Sequence, residues 1–141
     1  MIPDRYASVT YALFRIVFGY VFFVFGLQKF GFLGGQAVDL ASLQGGAAII
    51  ESVGGFLIMV GLFTRLAALI ASGEMAVAYF YIHVMMMGMP PGGPGGAMGL
   101  LVPQANRGVD AVLFCFAFLY IASRGGGIWS VDGARGGSGR R

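Results

Sequence analysis

Apolar residues run almost unbroken through four stretches, about 8–28, 47–63, 66–87 and 108–123, and the polar residues collect between them. Runs of roughly 17 to 25 apolar residues suffice for an α-helix to cross the hydrocarbon core of a bilayer. A transmembrane barrel would need short alternating segments, which these continuous runs are not. The pattern predicts an all-α, integral membrane four-helix bundle, one domain over residues 1–141, with 125–141 a Gly- and Arg-rich tail. The first run is long, contains Arg15 and lacks a small-residue cleavage site after it, so it reads as a retained span rather than a signal peptide.

Helical spacing sorts the faces. In the first run Arg15, Gly19, Phe22, Gly26 and Lys29 fall on one face, and in the second Glu51, Gly54, Ile58, Gly61 and Arg65 do the same. Glycines let neighbouring backbones approach where lipid supplies no hydrophobic drive, so these faces turn into the bundle. Thr64 and Arg65 form the expected tight turn into the third run, which makes the second and third helices an antiparallel hairpin. Glu74 and His83 lie nine residues apart, and at about 100° per residue an α-helix sends them to opposite sides. In the last run Asp110, Phe114, Ala117, Ile121 and Arg124 share a face.

Residues 30–46 read as a Gly-containing connector, and 88–107, with PPGGPGG at its centre, as a long irregular loop. In the tail Trp129 is an expected interfacial anchor, and the last dozen residues are expected to be disordered.

Composition agrees with the pattern: 57% of residues are hydrophobic and 11% charged. The net charge of +3 does not point to nucleic acid, because the basic residues sit at the ends of apolar runs and in the tail. Arg5, Arg65, Arg124, Arg135, Arg140 and Arg141 fall on one side of a four-span chain, against Lys29 and Arg107 on the other. The positive-inside bias therefore places both termini in the cytoplasm. Cys115 is the one cysteine, so no internal disulfide or CxxC chemistry is available.

Ionisable groups inside apolar sequence are the candidate chemistry. Counting about 1.5 Å per residue from Arg5 and Arg65 puts Arg15 and Glu74 both roughly 14 to 15 Å deep, and therefore as partners. Glu51, Asp110, His83 and Lys29 gather in the outer half. Such charges either pair to lock the bundle or mark a proton, ligand or quinone site. No second His completes a bis-His haem pair. Met85, Met86, Met87 and Met89 are soft donors, but consecutive methionines cannot all face one ion from a helix. No metal site, P-loop or hydrolase triad is readable.

The order Arg15-Ile-Val-Phe-Gly19, Gly26-Leu-Gln-Lys29-Phe-Gly31, Glu51-x-x-Gly54-Gly55, Gly61-Leu-Phe-Thr64-Arg65 and Gly73-Glu74-Met75-Ala76-Val-Ala78-Tyr79-Phe80, then His83, resembles the DoxX family of small four-helix membrane proteins. Asn106-x-Gly108, Val112-Leu-Phe-Cys115-Phe and Gly127-Ile-Trp129-Ser130-Val-Asp132 continue the resemblance over nearly the whole chain. It implies a multi-pass bacterial inner-membrane protein linked to redox chemistry, one branch being the small membrane subunit of a thiosulfate:quinone oxidoreductase. The expected role is an accessory subunit of a quinone-linked assembly, not catalytic alone, contacting lipid and other membrane subunits, with any quinone at an interface. The alternatives are a purely structural subunit and a small proton-coupled transporter. The candidate intramembrane polar cluster is Arg15, Lys29, Glu51, Glu74, His83, Asn106 and Asp110. Two departures favour an accessory role: Phe25 stands where members often carry His, and Val109 where an acidic residue often follows Asn-x-Gly, with Asp110 one position, about 100°, further round.

Overall fold

A computed structural model of the chain describes residues 3, 6–86, 102–104 and 107–137. Helix α1 spans Ala7–Lys29. It buries Arg15, Gly19, Phe22 and Gly26, the face on which helical spacing had placed the glycines. After the connector, Ser42 caps α2 (Leu43–Val60), its Oγ accepting from the Gly45 N–H at 3.1 Å. That cap starts α2 four residues earlier than the hydrophobic run suggested, because Gln44, Gly45 and Gly46 read as loop by propensity alone. Within α2, Ile50–Gly54 is a π-helical stretch.

Gly61 ends α2 in the left-handed conformation (φ 74°), and the Leu62 N–H bonds back to the Leu57 carbonyl at 2.9 Å. The turn is thus Gly61 to Phe63, not Thr64 and Arg65, which already belong to α3. Phe63 is itself left-handed at φ 48°. Helix α3 is α-helical over Thr64–Val77 and continues as a π-helix over Ala78–Met86. Helix α4 is Val109–Arg124, and α5 is a short helix, Val131–Gly137, in the tail that was expected to be disordered. It forms because Asp132 and Ser130 bond to the bundle and to their own turn, an energy that the tail's composition does not display.

Three helices are long and apolar enough to cross a membrane, over Ala7–Lys29, Leu43–Val60 and Thr64–Val84, and no strand occurs among the described residues. The bundle is built from two close pairs. On α1 against α2 the backbones nearly touch: a Cβ on Gly19 would sit 2.5 Å from the Met59 nitrogen, and one on Gly55 would strike the backbone of Phe23. On α3 against α4 the small residues Ala67, Ala68 and Ala71 are buried, and the Ser72 hydroxyl donates to the Cys115 carbonyl at 2.8 Å. Aromatic rings join the pairs, Phe22 to Phe118 at 4.6 Å and Phe18 to Phe114 at 5.4 Å. Leu13, Val17, Leu66, Leu69 and Phe116 point outward, as lipid-facing positions should.

Candidate functional site

Polar side chains collect at the two ends of the bundle and do different work at each. At the end carrying the Gly61 to Phe63 turn, charged groups cap helices that belong to other segments. Arg15 is fully buried, and its Nη1 donates to the carbonyls of Ile58 and Met59 at 2.6 Å each, the last turn of α2. Its Nη2 donates to the Trp129 carbonyl at 2.7 Å. A guanidinium at a helix C-terminus satisfies orphan carbonyls and meets the negative end of the helix dipole. Arg65 treats α4 similarly, donating to the carbonyls of Ala122 at 3.1 Å and Ser123 at 2.7 Å. Asp132 caps the start of α3: its carboxylate accepts from the Phe63 N–H at 3.0 Å, the Thr64 N–H at 2.8 Å and the Thr64 hydroxyl at 2.7 Å. Burial alone would push the Asp132 carboxyl up, but these hydrogen bonds and the nearby Arg135 charge outweigh it and hold its pKa below the ordinary value.

This arrangement overturns the pairing of Arg15 with Glu74. Arg15 lies at the level where α2 ends, so the first two turns of α1 run alongside the tail rather than counting down from a rim at Arg5. Tyr11 on those turns donates to the Gly125 carbonyl, and Arg124 lies 5.2 Å from the Tyr11 ring centroid.

At the opposite end the side chains surround a cavity. Lys29 Nζ, on the last turn of α1, meets Glu51 Oε1 of α2 at 2.6 Å, and the Glu51 side chain is only 4% exposed. Glu74 of α3 faces the same space, within electrostatic reach of both Glu51 and Lys29. Neither Glu51 Oε2 nor Glu74 Oε2, both buried, has a hydrogen-bond partner among the described residues. His83 and Asp110 also line the cavity, whose volume is about 1050 Å³. Its remaining walls are mainly apolar, including Phe25, Ile70, Val77 and Phe114. His83 and Glu74 thus border one space, although α-helical spacing sets them on opposite sides. The π-helical hydrogen bonds of Ala78–Met86 take more residues per turn and rotate His83 back toward Glu74's side. Such π segments recur at functional sites. Among the described residues no three His, Cys, Asp or Glu side chains converge as a metal site.

The DoxX family model matches residues 10–84, more than half of the chain. The chain belongs to the DoxX family. It is also 37% identical over 134 residues to a Haemophilus influenzae protein named only as uncharacterized, with 92% of each chain covered. No solved structure matches it.

In this DoxX protein, then, the sequence-derived cluster divides. Lys29, Glu51, Glu74, His83 and Asp110 border one cavity, Arg15 is separated from them at the other end of the bundle, and Asn106 lies outside the described residues, as do Met87, Met89 and the PPGGPGG segment. Helical spacing assigns Asp132 no role. Its only signal was a place in the Trp129-Ser130-Val-Asp132 motif, since a cap supplied from 68 residues away leaves no local pattern.

Proposed function

We propose that this DoxX protein is a multi-pass accessory subunit of a quinone-linked redox assembly in the bacterial inner membrane, with both termini cytoplasmic and α4 as a fourth span. The observation that carries the reading is the cavity of about 1050 Å³, bordered by Glu51, Glu74 and Asp110 and by apolar side chains such as Phe25, Ile70 and Phe114. Pockets of this size suit a lipid-soluble ring with a polar edge. The family's association with membrane redox chemistry supports the choice of a quinone. Arg65 and Arg124 at the turn end, against Lys29 at the other, support the orientation. In this reading electron transfer falls to a partner chain, and binding and proton handling to this one. Purification in mild detergent from the native host tests the reading: quinone and a redox partner are expected to co-purify, and a chain that emerges alone and quinone-free counts against it.

A proton-coupled transporter is the second reading, favoured by one fact: two carboxylates within the membrane share a single ammonium. Proteoliposome flux measurements decide it, since flux insensitive to a pH gradient removes the idea. A purely structural subunit explains less, because charges kept only to lock helices together have no need of an open cavity around them.

A further inference from the structure

The turn end of the bundle carries an outward surface that the capping contacts leave unused. Helix α2 ends at Val60 and α3 starts at Thr64, so the residues between them stand at the edge of the apolar spans. The segment leading into α5 is fixed at the same level: the Asp132 N–H donates to the Gly61 carbonyl at 2.8 Å, and Arg15 Nη2 donates to the Trp129 carbonyl at 2.7 Å. These bonds hold its backbone inward while apolar side chains face out. Trp129 is 61% exposed and Phe63 60%, and Ile128 and Val131 are exposed on either side of Trp129 in the chain. Phe63 and Trp129 are both left-handed, at φ 48° and 53°, a conformation costly for a residue with a Cβ, and bonds to Asp132 and Arg15 maintain it. Aromatic rings at such a level suit the headgroup layer, where an apolar body meets a wet edge.

Charge decides which headgroup. Arg65, Arg124 and Arg135 are exposed at this end, and the sequence continues after α5 to Arg140 and Arg141. The one carboxylate here among the described residues, Asp132, has both oxygens bonded to Phe63 and Thr64. Arg65 is turned to the α4 carbonyls, whereas Arg124, over the Tyr11 ring, and Arg135 form no ion pair among the described residues. At the cavity end the balance is reversed, with Lys29 and Arg107 against Asp39, Glu51, Glu74 and Asp110. We propose that the segment before α5, with the Gly61 to Phe63 turn, forms a binding surface for anionic phospholipid. Trp129 and Phe63 enter the headgroup layer, and Arg124 and Arg135 meet the lipid phosphates. Each basic side chain near an anionic membrane surface is worth about a fivefold gain in affinity, so the lipid beside Trp129 is enriched in the anionic species. This surface goes beyond the quinone-linked reading and is independent of what the cavity binds.

Trp129 is the chain's one tryptophan and reports on its own surroundings. The full chain is reconstituted in vesicles of equal parts phosphatidylcholine and phosphatidylglycerol, with brominated chains carried by one lipid or by the other, so that only the position of the quencher changes. Trp129 emission is expected to be blue-shifted, and quenched several-fold more strongly when bromine is on phosphatidylglycerol, with the difference shrinking in high salt. Equal quenching from the two lipids overturns the anionic preference, and no quenching from either overturns the surface altogether. Arg124→Gln with Arg135→Gln should remove most of the difference, and Arg124→Lys with Arg135→Lys should keep it, which separates charge from any effect on folding. A difference undiminished in the folded glutamine variant overturns the assignment to these two arginines. Moving the reporter by Trp129→Phe with Phe32→Trp places it on the exposed connector at the acidic end, where no preference for phosphatidylglycerol is expected. The same preference at both ends overturns a localised site.

Discussion

Asp132→Ala removes the cap that holds the tail against the turn, and the structure fixes what is lost. Three hydrogen bonds disappear, from the Phe63 N–H at 3.0 Å, the Thr64 N–H at 2.8 Å and the Thr64 hydroxyl at 2.7 Å. Thr64 is fully buried, so its two donors lose their partner where water replaces it poorly. Loss of an N-cap alone is worth about 0.5–2 kcal/mol, and the partly exposed carboxylate argues for the upper part of that range rather than three full charge-assisted bonds, so the expected destabilisation is about 2 kcal/mol. Asp132→Asn keeps an acceptor but no charge, and about half that loss is expected. Linkage gives a second signature. The folded Asp132 carboxyl titrates below its unfolded value of about 3.9, so the stabilisation is fully present above that pH and is lost as pH falls through the lower, folded value. Thermal unfolding in mild detergent, run across pH on wild type and Asp132→Asn, should show curves separated at neutral pH that converge in acid. Curves that stay parallel, or an Asp132→Ala change below about 0.5 kcal/mol, would show that the cap seen in the fold contributes nothing.

Arg15→Met strands the carbonyls of Ile58, Met59 and Trp129, and a loss of about 3 kcal/mol is expected. Combined with Glu74→Gln in a double-mutant cycle the effects should add within about 0.5 kcal/mol, and a strong coupling term would restore the pairing that the fold rejects. For Lys29 and Glu51 the opposite holds: Lys29→Met alone leaves a buried carboxylate uncompensated, and adding Glu51→Gln should recover much of the roughly 3 kcal/mol lost, as read by unfolding of both single and double variants. Gly55→Ala drives a methyl into the backbone of Phe23 and should lower stability by about 2 kcal/mol or more. Gly73→Ala, with open space around it, should be neutral or slightly stabilising in the same assay.

The periodicity of the chain determined where the helices lie and which faces they bury. Gly19 and Gly26 admit α2 because any Cβ there collides with backbone, and the uninterrupted apolar runs leave no other way to satisfy peptide groups in lipid. Lys29, Glu51, Glu74, His83 and Asp110 were all legible as candidates, because ionisable groups are rare in such runs. Their grouping was decided only in three dimensions. Depth counted along separate helices needs a common origin, and Arg5 was the wrong one: α1 overlaps the tail by two turns, which sets Arg15 against the end of α2 instead of beside Glu74. The phase of His83 changed because α3 turns π-helical after Val77, a shift that a fixed 100° step cannot contain. The capping contacts of Asp132 and Trp129, and the helix after them, were not legible for a further reason: their stabilising partners, Gly61 to Thr64 and Arg15, are distant in sequence, and a Gly-rich tail has no local preference from which such contacts can be read.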